Sequence, residues 1–158
     1  MKILILGHGR HGKDTAAEML KDLFGFTFQS SSRAALDAIY PCLKASVGYS
    51  SKEEAFNDRS NMRWLWKELI TLYNTPDKSA LCRKILETGD TYVGMRCDKE
   101  YEASKELFDL ILWVDRSVFL PTESSMLIKY NPDEMIFIDN NYDLENLRIQ
   151  LDNLEVLF

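Results

Sequence analysis

Five short apolar runs, separated mainly by helical patterns, constrain the fold of this 158-residue chain more than any other feature. The runs are continuously apolar and rich in Ile, Leu, Val and Phe, which is typical of strands buried on both faces of a parallel sheet. The order is strand, helix, strand, a long helical stretch, strand, helix, strand, loop, strand and helix. This order predicts a three-layer α/β domain with right-handed crossovers. The predicted strands are residues 2–6, 26–29, 91–95, 110–114 and 135–138.

The helices between these runs carry apolar residues at helical spacing, so we expect them to face the core. Thr75 and Pro76 predict the start of a further helix that ends just before Gly89. Asp98 and Asp143 are predicted to cap two more. The two clearest stripes are Ala16, Met19, Leu20 and Leu23, and then Met62, Leu65, Trp66, Leu69, Ile70 and Tyr73.

The composition narrows the classes of partner that we expect. The formal net charge is −6, so no global positive field favours a nucleic-acid backbone or an anionic membrane. Cys42, Cys82 and Cys97 are widely spaced, which predicts free thiols in a reducing compartment. With no signal-peptide pattern and no apolar window of roughly 18 residues, we expect a soluble, cytoplasmic protein without a membrane partner.

The length of the chain suits one well-packed domain. The last five residues, LEVLF, resemble the start of a viral 3C protease recognition site. We therefore interpret residues 154–158 as an expression-tag remnant and residues 1–153 as a single domain.

The loop after the first run carries the clearest functional motif. Gly7-x-x-x-x-Gly12-Lys13 fits the phosphate-binding P-loop, with Asp14 where Ser or Thr usually stands. In such a loop the glycines let backbone N–H groups turn around a phosphate, and the lysine bridges the β- and γ-phosphates. An apolar run precedes the motif and an amphipathic pattern follows it, so the sequence predicts a nucleotide phosphate site.

Asp14 is the candidate ligand for Mg²⁺, because hard cations prefer oxygen ligands, and Thr15 is the alternative hydroxyl. Solvent-facing positions are the simpler interpretation of His8 and His11, since the chain offers no cysteine nearby for a zinc site. Arg10 lies between them and needs no role of its own.

Arginines are the next candidates, because phosphoryl transfer depends on positioning and on neutralising charge. Arg33, Arg96 and Arg116 each follow a predicted strand, and ligands gather at the carboxyl ends of parallel strands. Arg59 and Arg63 stand four residues apart and are expected on one helical face. That face either lines the active cleft or is simply solvated.

Two segments resemble the phage-type deoxynucleoside monophosphate kinases, which belong to the P-loop nucleotide kinases. The segment GHGRHGKDTAAE is similar to their G-K-D-T variant of the P-loop, and DNNYDLENL is similar to their N-N-G-T-L-E-x-L segment. The resemblance runs along nearly the whole chain, although only these segments and Arg96 are specific. It implies a five-stranded parallel sheet in the order 2-3-1-4-5, ATP and Mg²⁺ as cofactors, and a nucleotide substrate.

The same resemblance implies roles for individual residues. Lys13, Arg96 and Arg116 would be catalytic, Asp14 would bind the metal, and Arg116 would open a lid at about residues 117–133. Asn140 and Asn141 would lie beside the adenine. From the motif, the arginines and the resemblance together, the candidate nucleotide-binding set is Gly7, Gly9, Arg10, His11, Gly12, Lys13, Asp14, Thr15, Arg116, Asn140 and Asn141, and the candidate acceptor set is Arg33, Asp58, Arg59, Arg63, Arg96 and Glu100.

The chain also departs from the family pattern. Gly94 stands where the family often has an Asp after the third strand, so a second carboxylate near the metal is missing. The lid carries only Lys129 as a cation. The N-N-G-T segment reads Asn-Asn-Tyr-Asp, which places Tyr142 near the base.

These patterns favour ATP-dependent phosphoryl transfer to a (deoxy)nucleoside monophosphate. One alternative is a P-loop kinase that phosphorylates 5-hydroxymethyluracil in DNA, for which Asp37 and Asp58 are candidate bases. Another is a nucleotide-binding regulator without transferase activity. Trp64, Trp66 and Tyr73 could form a homodimer surface, but core packing explains them more simply.

Overall fold

Parallel strands form the central sheet of the structure, a computed structural model that describes residues 1–28 and 30–158. Within these residues the sheet has four strands in the order β2-β1-β3-β4. Ile3 is in register with Thr91 on one side and with Leu110 on the other, and Leu112 is in register with Ile136. The strands are β1 (Ile3–Leu6), β2 (Thr91–Val93), β3 (Leu110–Asp115) and β4 (Ile136–Asp139).

The prediction of a fifth strand at residues 26–29 is wrong for the described part of this run, residues 26–28, which does not form a strand. Phe28 forms only an isolated parallel bridge with Thr91, and residue 29 lies outside the described residues. Thr27 bonds to Asp90 through its backbone and its side chain. Ser30 then caps the next helix, which takes the chain away from the sheet. The bridge still lies at the edge where the order 2-3-1-4-5 places its first strand, and the other strands follow the predicted order.

Helices cover both faces of this sheet. Short 3-10 turns follow three of them, at Asp58–Ser60, Lys105–Leu107 and Asn153–Leu157. The helices are α1 (Lys13–Phe24), α2 (Ser31–Val47), α3 (Lys52–Asn57), α4 (Arg63–Tyr73), α5 (Ala80–Leu86), α6 (Asp98–Ser104) and α7 (Leu144–Asp152).

Alternate residues of β1 point to opposite faces, as the period of a strand requires. Ile3 and Ile5 pack with residues of α1 and α7. Leu4 and Leu6 pack with residues of α2, α5 and α6. The predicted three-layer α/β architecture is therefore confirmed.

A third apolar cluster lies away from the sheet, among α2, α3 and α4. Leu43 and Ala55 are fully buried there, and Trp66 is 4% exposed. This confirms the core-facing stripe of α4, whereas Trp64 on the same helix is 65% exposed. The cluster holds α3 and α4 to α2 as a helical unit beside the sheet.

The predicted helix ends are only partly confirmed. Asp143 caps α7 by accepting from the backbone N–H of Asn146. The start predicted at Thr75 is wrong, because the Asp77 side chain accepts from the backbone and hydroxyl of Ser79 and delays α5 to Ala80. The cap predicted at Asp98 is also wrong, since that residue already lies inside α6.

All three cysteines are free, as predicted; Cys82 is buried, and Cys42 and Cys97 are exposed. Leu154 is buried in the core, and the Phe158 ring lies 4.8 Å from that of Phe24. The tag interpretation of residues 154–158 stays a prediction. Among the described residues, no helix is both long enough and apolar enough to cross a membrane.

Candidate functional site

The loop of residues 7–12 joins the buried strand β1 to α1 at the carboxyl edge of the sheet. Gly7 and Gly12 have φ of 138° and 98°, and Arg10 has φ of 64°, a region that side chains rarely adopt. A Cβ on Gly7 would overlap the backbone carbonyl of Val114. Glycine is therefore required for the loop to pass this close to β3.

The amino end of α1 is open. Gly12 occupies the N-cap position and has no side chain to accept a hydrogen bond, whereas Ser30 and Ser51 cap α2 and α3. The first N–H groups of a helix have no partner within the helix and carry its partial positive charge. This end is thus suited to an anion.

Lys13 begins α1 and is only 9% exposed. Its ammonium donates to the backbone carbonyl of His8 at 2.5 Å. Burial lowers the pKa of Lys13, and the charge of Arg96 lowers it further, while Asp14 and Glu123 act in the opposite direction. The ammonium is thus confined to the loop and surrounded by charged groups of both signs.

A carboxylate from the segment between β3 and β4 already lies in the loop. Glu123 Oε2 accepts from the backbone N–H of Gly9 at 2.8 Å and from Arg96 NH1 at 2.8 Å. Arg96 NH1 also donates to the hydroxyl of Ser125 at 2.8 Å. A Cβ on Gly9 would overlap the Glu123 carboxylate, so the absence of a side chain makes room for this group.

The two histidines of the loop bind this same segment. His8 Nδ1 accepts from the backbone N–H of Glu123 at 3.0 Å, and His11 Nδ1 accepts from that of Arg116 at 2.9 Å. Burial, with a further contribution from His11, lowers the pKa of His8, which keeps its acceptor nitrogen unprotonated. The solvent-facing interpretation is wrong for His11, which is fully buried. Its ring binds the backbone of Arg116, where the chain leaves β3.

Asn140 and Asn141 support the loop and the start of the segment. The Asn140 amide donates to the backbone carbonyl of His11 at 2.8 Å, and a Cβ on Gly12 would overlap it. Asn141 accepts from the backbone N–H of Val118 at 3.0 Å. The contacts of both side chains are structural, and the implied position beside adenine stays a prediction.

The metal prediction concerns Asp14, whose side chain is exposed in the first turn of α1, with Thr15 half-buried next to it. Within residues 1–28 and 30–158, no group of three or more His, Cys, Asp or Glu side chains could hold a metal ion. The loop suits an anion, because the backbone N–H of Gly9 binds the carboxylate of Glu123. A Mg²⁺ ion would therefore rely on phosphate oxygens, with Asp14 as its candidate protein ligand.

The structure brings Arg33 and Arg59 together, on the ring of Phe56. The two guanidinium carbons lie 3.6 Å and 4.3 Å from the ring centroid. Arg33 also forms a bidentate ion pair with Glu53, in which the two N–O distances are 2.7 Å and 3.1 Å. The amino end of α2 faces the loop, since a Cβ on Gly94 would lie 3.7 Å from Ser31 Oγ and 3.8 Å from Lys13 Cε.

The expectation that Arg59 and Arg63 share one helical face is wrong. Asp58 accepts from the Tyr49 hydroxyl at 2.6 Å and from the Asn61 amide at 2.7 Å. These bonds favour a 3-10 turn that contains Arg59, and α4 begins only at Arg63. Arg63 is exposed.

Two further predicted residues are Arg116 and Glu100. Arg116 directly follows β3, and its guanidinium carbon lies 5.5 Å from the Phe119 ring centroid. Glu100 is only 7% exposed, and its carboxyl accepts from the Tyr92 hydroxyl at 2.9 Å. Its carboxylate therefore lies behind β2 and not in the open part of the site.

Sequence reasoning missed Glu123, Ser125 and the acceptor role of the two histidines. Gly9 and Glu123 are 114 residues apart, and no local pattern marks a glutamate that folds back onto a distant loop. The only signal in the sequence is that the predicted lid contains a glutamate, Glu123, as well as a lysine.

Comparison with known proteins shows similarity in structure only. No protein-family model and no curated protein sequence matches the chain. Solved structures do match, among them a sugar kinase from Janibacter sp. HTCC2649, with 17% identity over 99% of this chain and 92% of the other and a TM-score of 0.48. A gluconokinase from Sinorhizobium meliloti 1021 is 14% identical over 99% and 96% of the two chains, with a TM-score of 0.50. The second likeness shows an α/β fold like that of the gluconokinase, and at this identity it concerns the fold alone.

Proposed function

We propose that the protein transfers the terminal phosphoryl group of ATP to a (deoxy)nucleoside monophosphate. The observation that carries this proposal is the loop between β1 and α1. It combines an open helix end with the buried Lys13, and its Gly9 N–H already binds a carboxylate. The P-loop kinase-like fold supports the same reading.

Each residue of this site has a role in holding charge. Lys13 and the N–H groups of the loop would hold the donor phosphates, and Arg96 and Arg116 would offset charge on the transferred group. Asp14 would hold Mg²⁺, which when bound would neutralise charge on the donor oxygens. The bond from the terminal phosphorus to its bridging oxygen breaks while the acceptor oxygen bonds to phosphorus, and ADP leaves. Closure of residues 117–133 once both the nucleotide and the acceptor are bound would exclude water.

The acceptor side of the proposal rests on Arg33 and Arg59. Both guanidinium groups lie on Phe56, and the start of α2 that carries Arg33 faces Lys13. An acceptor phosphate would replace the Glu53 carboxylate at Arg33, because the geometry of that pair is the one that guanidinium groups use for phosphate. A phosphate acceptor is already nucleophilic, so the reaction needs no general base.

One observation favours a hydroxyl acceptor as the second candidate, including 5-hydroxymethyluracil in DNA. Arg33 is already paired with Glu53, which neutralises a cation that an acceptor phosphate would use. The two candidate bases are engaged elsewhere, because Asp37 pairs with Lys52, and Asp58 accepts from the Tyr49 hydroxyl. We therefore keep the nucleoside monophosphate as the leading acceptor.

The test is ADP formation with ATP and Mg²⁺ against a panel of ribo- and deoxynucleoside monophosphates and 5-hydroxymethyluracil-containing DNA. Lys13→Met should abolish turnover, while Lys21→Ala, a change at an exposed position of the same helix, should leave it intact. Activity with one monophosphate supports the proposal, and activity with DNA alone supports the second candidate. ATP binding without turnover would favour a nucleotide-binding regulator, and wild-type turnover by the Lys13 variant would contradict the proposed site.

A further inference from the structure

Glu123 is bound in the way that a phosphate oxygen would be bound. Its Oε2 atom receives a backbone N–H from the loop and a guanidinium N–H from Arg96, each at 2.8 Å. Backbone N–H groups and arginine are the donors that P-loop proteins direct at phosphates. The carboxylate thus occupies part of an anion site that is built from the loop and the residue following β2.

Glu123 is an anion in this position. Partial burial opposes ionisation, but the Gly9 hydrogen bond and the charge of Arg96 hold the pKa of the carboxyl below its usual value. Its charge also acts on Lys13, where it opposes the effect of burial on the pKa. The carboxylate therefore supplies negative charge to a loop that otherwise gathers positive charge.

The residues that follow Glu123 are docked onto the same part of the molecule. The backbone N–H of Leu127 donates to the Arg96 carbonyl at 3.0 Å, and Ser125 accepts from the Arg96 side chain. Met126 and Ile128 are 8% and 4% exposed. By contrast, Val118 and Phe119 earlier in the segment are 73% and 62% exposed. The segment is thus attached to the site mainly through residues 123–128.

We propose that Glu123 is an internal competitor for the polyphosphate chain of the nucleotide. Nucleotide binding would displace its carboxylate from Gly9 and from Arg96, which loosens residues 123–125 and frees Arg96 for the transferred phosphoryl group. The inference rests on the proposed function, because it takes the loop to be a nucleotide phosphate site. It adds a coupling between that site and the position of the β3–β4 segment.

The competition has a measurable consequence for affinity. A ligand that binds only the displaced form has an apparent Kd equal to its intrinsic Kd divided by the fraction of molecules in that form. Removing the competitor raises this fraction towards one. On the scale of one charge-assisted hydrogen bond, we expect binding to tighten about tenfold or more.

The experiment is isothermal titration of the full chain with inorganic tripolyphosphate and with ATP, without an acceptor. Glu123→Gln should bind both about tenfold more tightly than wild type. Glu123→Asp keeps the charge but shortens the side chain by one methylene, so it should also bind more tightly. Glu134→Gln is the control, because it removes a charge from the same segment at a site that pairs with Tyr101 and Lys105. It should leave both affinities unchanged.

Three results would overturn the inference. Unchanged affinity in both Glu123 variants would mean that the carboxylate does not compete. Tighter binding in Glu123→Gln alone would indicate general charge repulsion in place of displacement. A third test uses hydrogen exchange on the wild type, where tripolyphosphate should increase exchange in residues 123–125, and protection there would show that the segment closes over the ligand.

Failure of the inference can be told apart from failure of the proposed function. If wild type binds ATP and Lys13→Met does not, while the Glu123 variants match wild type, only the competition is wrong. If neither wild type nor the Glu123 variants bind tripolyphosphate or ATP, the phosphate site itself is wrong, and the inference falls with it.

Discussion

Glu100 makes the stability of the fold depend on pH, and a single substitution tests this. The residue lies on α6 with 7% of its surface exposed, and its one side-chain hydrogen bond among the described residues comes from the Tyr92 hydroxyl. Burial raises the pKa of its carboxyl from 4.5 to about 7, although the hydrogen bond from Tyr92 acts in the opposite direction. Between about pH 4.5 and about pH 7, the folded protein therefore holds a proton on Glu100 that the unfolded chain releases.

The sign of the effect follows from proton binding. Below about pH 4.5 both states are protonated and Glu100 contributes nothing. Between about pH 4.5 and about pH 7 the folded state binds more protons, so the free energy of unfolding falls as pH rises. The pKa shift from 4.5 to about 7, at about 1.4 kcal/mol per pH unit, lowers the free energy of unfolding by about 3 kcal/mol. This full loss is reached above about pH 7.

Glu100→Gln removes the titration and keeps an oxygen that can accept from Tyr92. The variant should gain about 2 kcal/mol over wild type between about pH 5 and about pH 8, because the glutamine has no charged form to bury. Urea denaturation followed by tryptophan fluorescence at several pH values measures this difference. For Glu102→Gln, at an exposed position of the same helix, the stability difference from wild type should not increase with pH. A difference between Glu100→Gln and wild type that stays constant with pH would show that the pKa of Glu100 is not raised by folding.

Three further predictions concern the loop and the acceptor side. Gly12→Ala should destabilise the fold more than Gly25→Ala in urea denaturation, because both positions have positive φ but only Gly12 faces a neighbouring side chain, that of Asn140; equal losses would contradict this. Asn140→Ala should lower the free energy of unfolding by about 1–3 kcal/mol, since the buried carbonyl of His11 loses its donor, and a change within error would show that the bond is unimportant. Phe56→Leu should raise the KM for the acceptor several-fold and leave that for ATP unchanged, since Arg33 and Arg59 lose the ring that orients them; a change confined to ATP would place these arginines on the donor side.

The sequence predicted the parts of the fold that depend on local patterns. The buried strands, the amphipathic helices and the strand order along the sheet follow from apolar spacing and from the resemblance to P-loop kinases. The glycine-containing loop between β1 and α1 was predictable for the same reason, because its glycines and Lys13 are close together in sequence. The Asp143 cap was also predictable, since its partner Asn146 is three residues away.

The remaining features depend on contacts between distant residues or on competition between close alternatives. The run at residues 26–29 had strand-like residues, but the Thr27–Asp90 bonds and the Ser30 cap limited the described part of it to one bridge. Arg59 left the predicted helix because Tyr49 and Asn61 bind Asp58. Glu123 and Gly9 are 114 residues apart in the sequence. Such contacts leave no periodicity or motif in the sequence.

Under the proposed function, residues 7–15 bind the phosphates of a nucleotide through Lys13. Equilibrium binding of ATP to wild type and to Lys13→Met, with matched thermal unfolding curves to show that both are folded, decides whether they do. We expect saturable binding by wild type and a loss of about 100-fold or more in the variant, on the scale of a buried charge-assisted contact. Equal affinities in two folded proteins would show that Lys13 does not hold the nucleotide.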